Sequence, residues 1–229
     1  MKMPNRGSVT ALIVAGGLGT RMNAGVPKQF LPLKGKPVVQ WSLECFEQTP
    51  GVDKIVLVLP HDWVDEGRDK LISFDPEKPF AIVAGGNTRQ ESVAAGIEVV
   101  KDEDGWLIIH DGARPGITPE LVSQSLESAR KLGNAVCAIP STDTLVRAAD
   151  GAVVENLDRS QIFRVQTPQI FRLSKMRMAL ENASRKGIVA TDDAGLIREL
   201  GEKIFLVDGS ELNSKVTRPE DLNLLEALL

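Results

Sequence analysis

The chain has 229 residues, 42% of them hydrophobic, enough to bury a sizeable core, and it reads as one domain with an appended arm. A formal net charge of −4 gives no global basic field for nucleic acid, so any anion site must come from local clustering. Two isolated histidines (His61 and His110) exclude a Cys/His zinc site, no apolar run reaches membrane-spanning length, and the start MKMPNRGS lacks the apolar core of a signal peptide.

Short β-branched runs alternate with amphipathic segments through the first 140 residues. Strands are predicted at 9–15, 54–59, 80–84, 106–110 and 135–139, each apolar at nearly every position, as in a parallel sheet covered on both faces. Helices are predicted between them at 37–47, 62–73, 88–100 and 119–132, with Pro37 and Pro119 in first turns, where a missing N–H matters little. This rhythm implies a doubly wound α/β fold with a mostly parallel sheet, and ligands at the carboxyl ends of its strands. It breaks at Pro140. Residues 140–162 alternate like a strand pair turning near Asp150-Gly151 and hold too little apolar content for a core of their own. They read as a β-arm that leans on something else, a second subunit being one candidate. Helices at 174–186 and 192–200, a strand at 204–207 and a helix at 219–229 close the chain. Cys45 and Cys137, far apart in apolar surroundings, read as buried free thiols, and the protein as soluble and cytoplasmic.

The first strand runs into AGGLGTRMNAGVPKQF (15–30), with four glycines, two cations and no carboxylate. The loop has no Walker Gly-x-x-x-x-Gly-Lys-Ser/Thr string. Its Gly17-Leu18-Gly19-Thr20-Arg21-Met22 puts methionine where the dinucleotide fingerprint needs a third glycine. What remains is a glycine turn that lets backbone N–H groups approach an anion, with the planar fork of Arg21 and the mobile charge of Lys28. The glycines alone fit an ordinary turn with two solvated cations equally well.

Further motifs decide between these readings. AGGLGTRM…PKQF followed by GKP is similar to the signature of nucleotidyltransferases that join an NTP to a phosphorylated sugar or polyol. GGNTRQESV (85–93), HDGARP (110–115), TDTL (142–145), LDR (157–159), QTPQIF (166–171), TDDA (191–194) and KVTRPEDL (215–222) follow in register. Together they resemble the 2-C-methyl-D-erythritol 4-phosphate cytidylyltransferase family of the non-mevalonate isoprenoid pathway. The resemblance implies a Rossmann-like nucleotidyltransferase fold, CTP and a polyol phosphate as substrates, and Mg²⁺ or another divalent cation. It also implies a homodimer in which the arm crosses to the other subunit.

The resemblance further implies residue roles. Arg21 and Lys28 bind the triphosphate and stabilise the transition state, and Lys215 acts near the α-phosphate. Ala15 and Gly16 touch the base through their main chains, although the family commonly has alanine where Gly16 stands. Gly17, Gly19, Gly85, Gly86, Asn87, Arg89, Ser92 and Gly112 complete the nucleotide site. Asp111 holds the metal and, with Arg114, Thr144, Arg159, Thr167, Thr191 and Lys215, serves the polyol phosphate. The attacking phosphate is already anionic, so the demand falls on positioning and fixed positive charge rather than on a general base. His110 reads as a strand-end structural residue, and Asp192 and Asp193 as helix caps. The nearest rival is a ribitol-5-phosphate cytidylyltransferase, which shares the opening loop. A hexose-1-phosphate nucleotidyltransferase and a nucleotide-binding regulator without catalysis are further rivals. The joint presence of Arg21, Lys28, Asp111 and Lys215 argues against the regulator.

Overall fold

Strands with no polar face need cover on both sides, and the chain supplies it. The computed structural model of the protein describes residues 7–17 and 25–229. In chain order its strands are β1 (Val9–Val14), β2 (Pro32–Leu33), β3 (Lys36–Pro37), β4 (Lys54–Leu59), β5 (Phe80–Ala84), β6 (Trp106–Asp111), β7 (Ala135–Pro140), β8 (Val146–Ala149), β9 (Ala152–Asn156), β10 (Phe163–Arg172) and β11 (Leu206–Asp208). Its helices are α1 (Val38–Gln48), α2 (Val64–Lys70), α3 (Arg89–Glu98), α4 (Pro119–Leu132), α5 (Leu173–Lys186), α6 (Asp193–Arg198) and α7 (Pro219–Leu228).

Seven strands form one sheet in the order β11-β7-β10-β6-β1-β4-β5. Side chains alternate across it. Val9, Ala11 and Ile13 of β1 join a core with residues of α1 and α4, while Leu12 and Val14 join the opposite core with residues of α3, α5 and α6. Ile55, Leu57 and Leu59 against Val56 and Val58 repeat the division on β4. β1 lies parallel to both β4 and β6, so the chain leaves it in opposite directions across the sheet. The crevice at that switch point is where an open α/β sheet receives ligands.

One strand of the seven-stranded sheet was not expected. β10 enters between β6 and β7, antiparallel to both, and its register with β7 shifts between Val165 and Gln169. Because it runs backwards, its early residues Gln166 and Thr167 arrive at the carboxyl ends of its neighbours. One boundary also differs. Pro37 stands at the N-cap of α1 and closes a two-residue ribbon with β2, rather than occupying the first turn. Pro119 does take the first helical position of α4, behind the capping side chain of Thr118.

The segment beyond Pro140 forms a separate two-stranded ribbon, β8 against β9, and every residue of both strands is exposed. Asp150 and Gly151 make its turn with positive φ values of 50° and 78°. Val146, Val153 and Val154 on the ribbon, and Phe163 and Val165 at the start of β10, leave large apolar side chains in solvent.

Candidate active site

At the end of β1 the chain turns through Ala15, Gly16 and Gly17. Buried Gln29 holds this turn from beneath, its Nε2 donating to Ala15 O at 2.5 Å and Gly17 O at 3.2 Å. The facing wall is the start of α3. Thr88 caps it, accepting from Glu91 N at 3.1 Å, and the Glu91 carboxylate accepts from Asn87 N at 2.7 Å. Ser92 lies between the two walls, and its Oγ donates to Thr88 O at 2.9 Å. A Cβ on Gly16 or on Gly85 would come within 2.6 Å of Ser92 Oγ, so the loops meet this closely because both residues are glycine. The cavity between them is completed by Lys28, Asp111 and Lys215.

Asp111 ends β6 and is almost fully buried. Its Oδ1 accepts from Arg89 Nε at 3.1 Å and its Oδ2 from Lys215 Nζ at 2.8 Å, with Arg114 Nε at 3.5 Å from Oδ2. Burial alone would raise this carboxyl. Arg89, Lys215 and Arg114 more than reverse that and hold it far below the usual carboxylate range. Arg89 also reaches Asp193 Oδ2 through Nη2 at 2.7 Å. A second cavity opens on the other side of this cluster, lined by Arg114, Gln166, Thr167, Gln169, Thr191 and Asp192. Arg89, Asp111 and Lys215 stand in the walls of both cavities.

The cluster rests on polar groups with fixed partners. Thr167 Oγ1 accepts from Asp111 N at 3.0 Å and contacts His110 Nδ1 at 3.1 Å, while His110 Nε2 lies 3.3 Å from Arg114 O. One neutral tautomer satisfies all three contacts: Nε2–H donates to Arg114 O, and Nδ1 accepts from the Thr167 hydroxyl. Burial pushes the imidazole down to about 3, which keeps it neutral. Fully buried Asn213 donates to Thr167 O at 2.7 Å, and its main-chain carbonyl accepts from Arg114 Nη1 at 2.8 Å. Three residues on, Val216 N donates to Ala113 O at 2.8 Å, and Val216 O accepts from Lys28 Nζ at 2.8 Å. Lys215 is thus pinned on both sides, although its loop lies near the other end of the chain.

The family model described as IspD, 2-C-methyl-D-erythritol 4-phosphate cytidylyltransferase, matches residues 9–229. The chain belongs to that family. It is 40% identical over 219 residues to the 2-C-methyl-D-erythritol 4-phosphate cytidylyltransferase of Bacillus velezensis, covering 95% of this chain and 94% of that one. The corresponding protein of Halalkalibacterium halodurans is 40% identical over 220 residues, 96% of each chain. The crystal structure of the Thermus thermophilus cytidylyltransferase superposes with a TM-score of 0.79 at 34% identity, covering 96% of this chain and 98% of that one. The fold class and the cytidylyltransferase assignment therefore hold: the chain is an enzyme of CTP-dependent cytidylyl transfer in isoprenoid biosynthesis. The ribitol 5-phosphate alternative is not favoured.

Of the residues expected in the site, Ala15, Gly16, Gly17, Lys28, Gly86, Asn87, Arg89, Ser92, Asp111 and Lys215 line the first cavity, and Arg114, Thr167 and Thr191 line the second. Gly85 and Gly112 pack behind the first wall, their N–H groups donating to Leu59 O at 2.7 Å and Val14 O at 2.9 Å. Gly19 and Arg21 lie outside the described residues. Thr144 and Arg159 belong to the exposed arm region, away from both walls, and Arg159 Nη1 donates to Thr142 O. One expectation is corrected. Asp192 caps α6, accepting from Gly195 N at 2.9 Å, but Asp193 does not: its carboxylate is buried and turned toward Arg89. Gln29, Gln166 and Asn213 were not singled out from sequence. All three lie in or beside the quoted motifs, and only burial shows that their amides hold the loops together.

Proposed function

We propose that the two cavities divide the two substrates of cytidylyl transfer, and that the reaction takes place at the wall they share. CTP occupies the cavity between the Ala15–Gly17 turn and the start of α3. Its base meets the Ala15 and Gly16 main chain, and its triphosphate runs toward Lys28 and Lys215. 2-C-methyl-D-erythritol 4-phosphate occupies the second cavity, near Arg114, Thr167 and Thr191. A phosphate oxygen of the polyol phosphate attacks the α-phosphorus of CTP, and pyrophosphate leaves. The observation that carries this reading is the presence of Arg89, Asp111 and Lys215 in both walls. Two polyanions can approach only where fixed cations offset their repulsion. The neutral, fully buried His110 fits a reaction whose nucleophile needs no strong base.

Asp111 is the residue that would hold a divalent cation. Among the described residues no group of three or more His, Cys, Asp or Glu could hold one. A single hard carboxylate nevertheless fits Mg²⁺, which binds through one or two carboxylates and takes its other oxygens from substrate phosphates and water. When bound, the ion would neutralise triphosphate charge. This chain's own contribution is to present Asp111 ionised, in the wall of both cavities, paired with Arg89 and Lys215.

We further read the chain as one nucleotidyltransferase domain whose arm, 140–162, mediates a homodimer. The exposed Val146, Val153, Val154 and Phe163 support a partner that covers them, and Thr144 and Arg159 would then serve the neighbouring subunit's polyol site. Buried free thiols at Cys45 and Cys137 support a reducing, cytoplasmic setting. Among the described residues no helix is long and apolar enough to cross a membrane. The test is release of pyrophosphate from CTP with Mg²⁺, with 2-C-methyl-D-erythritol 4-phosphate and ribitol 5-phosphate in parallel. Preference for the methylerythritol substrate is expected. Preference for ribitol 5-phosphate would overturn the reading.

A further inference from the structure

Arg89 was expected to be a nucleotide ligand, yet its guanidinium is committed elsewhere. Nε faces Asp111 Oδ1 at 3.1 Å and Nη2 faces Asp193 Oδ2 at 2.7 Å. Asp193 is 1% exposed and lines neither cavity, and among the described residues Arg89 is its ion-pair partner while neither carboxylate oxygen accepts a hydrogen bond. Burial pushes the Asp193 carboxyl up, and the Arg89 guanidinium at 2.7 Å is the group that opposes this and favours its charged form, so the contact ties Arg89 and Asp193 to each other. The backbone carrying Asp193 is itself anchored. Gln169 of β10 accepts from Ala194 N at 2.9 Å and donates to Asp192 Oδ2 at 3.1 Å, which clamps the start of α6 to the central sheet. The chain of contacts runs from β10 through α6 and Asp193 to Arg89 on α3, and from there to Asp111 on β6.

We propose that Asp193 is a positioning residue for cytidylyl transfer: it holds Arg89 across the wall between the two cavities, so that Arg89 aims Asp111 instead of entering the nucleotide cavity as a free cation. The proposal rests on the reading of the two cavities given above. Its consequence has a definite sign. Without the Asp193 carboxylate the cluster gains one net positive charge next to the triphosphate site. CTP then binds at least as tightly, but with Arg89 on the phosphates and Asp111 badly aimed. Damage to the fold alone would do the reverse and weaken CTP binding.

The experiment compares the full chain with Asp193→Asn, Asp193→Glu, Arg89→Ala and the double variant Arg89→Ala/Asp193→Asn. For Asp193→Asn, kcat is expected to fall about 10–100-fold, the range seen when a group that orients a site ligand is removed. The KM for CTP should stay level or fall. Asp193→Glu should recover much of kcat, because it restores the carboxylate. In the Arg89→Ala background, Asp193→Asn should add no further loss, since its effect passes through Arg89. The Arg89 Nε–H resonance, assigned with Arg89→Lys, should be slow to exchange with solvent in the parent and fast in Asp193→Asn. Unchanged kinetics, a rise in CTP KM in step with a lowered Tm, or additive losses in the double variant would each overturn the proposal. An inactive parent chain would instead overturn the reading of the reaction, and the Arg89 resonance would still decide whether Asp193 holds the guanidinium.

Discussion

The cation cluster around Asp111 and the arm that carries Thr144 and Arg159 show opposite kinds of order. In the cluster, each carboxylate has its counterpart within the same chain: Asp111 faces Arg89, Lys215 and Arg114, and Asp193 faces Arg89. Four distant stretches of sequence converge there, held by buried amides and main-chain contacts. The arm has a turn, a two-stranded ladder and a surface ion pair between Arg147 and Glu155, but it buries no core. The difference is between side chains that find their partners within one chain, as those around Asp111 do, and apolar side chains that this chain leaves uncovered, as the arm does.

The largest effect should come from breaking the cluster. Asp111→Ala and Lys28→Ala are each expected to lower kcat by about 10²–10³-fold, as loss of a charge aimed at the transition state does, with the dimer unchanged by sedimentation. A steady-state pyrophosphate-release assay checks this. Near-normal rates would remove the electrostatic account and favour a binding module. Next comes the arm. Val153→Asp with Val154→Asp should convert a dimer to a monomer in analytical ultracentrifugation and raise the KM for the polyol phosphate about tenfold or more, since two charges in an apolar contact oppose its burial. CTP binding, built within one chain, should persist in the monomer. Arg159→Ala is narrower, with a several-fold rise in the polyol phosphate KM, an unchanged CTP KM and an intact dimer. A loss of about 1 kcal/mol is ordinary for one hydrogen bond at an exposed site.

The smallest effects concern the thiols. Burial pushes Cys45 up to about 12 and Cys137 up to about 11, from an ordinary 9.0, so neither forms thiolate near neutral pH. Both should resist alkylation until the chain is unfolded, whereas a cysteine placed at Val153 should react quickly in a monomer and slowly in a dimer. The unfolded thiols ionise near their ordinary value and the folded ones do not. Their contribution to stability is therefore full below pH 9 and is lost as pH rises toward 11 and 12. Tm measured across that window should fall less steeply in Cys45→Ala.

Much of the sheet was legible because burial on both faces writes itself as uninterrupted apolar runs, and β1, β4, β5 and β7 begin where those runs begin. β10 was not. Its residues Gln166, Thr167, Pro168 and Gln169 are polar or break a ladder, and a proline argues against a central strand. Most of those residues serve the second cavity and sit where the register shifts, so the strand departs from strand-like sequence at the place it meets the site. Asp193 misled for a related reason. Two adjacent aspartates before a helix both look like caps, but a helix takes one, and only the packing shows that the second is buried against Arg89. Asp111, Lys28 and Lys215 were marked by motifs, whereas the amides of Gln29, Gln166 and Asn213 carry no charge pattern to reveal them.

The central claim, that two phosphorylated substrates meet at the wall formed by Arg89, Asp111 and Lys215, is tested most directly by a crystal structure with CTP, Mg²⁺ and 2-C-methyl-D-erythritol 4-phosphate bound together. The account predicts the α-phosphate within hydrogen-bonding reach of Lys215, the polyol phosphate approaching it from the side of Thr167 and Thr191, and Arg89 still paired with Asp193. A triphosphate lying away from Lys215, or the two phosphates held on opposite sides of the wall with no path for attack, would contradict it.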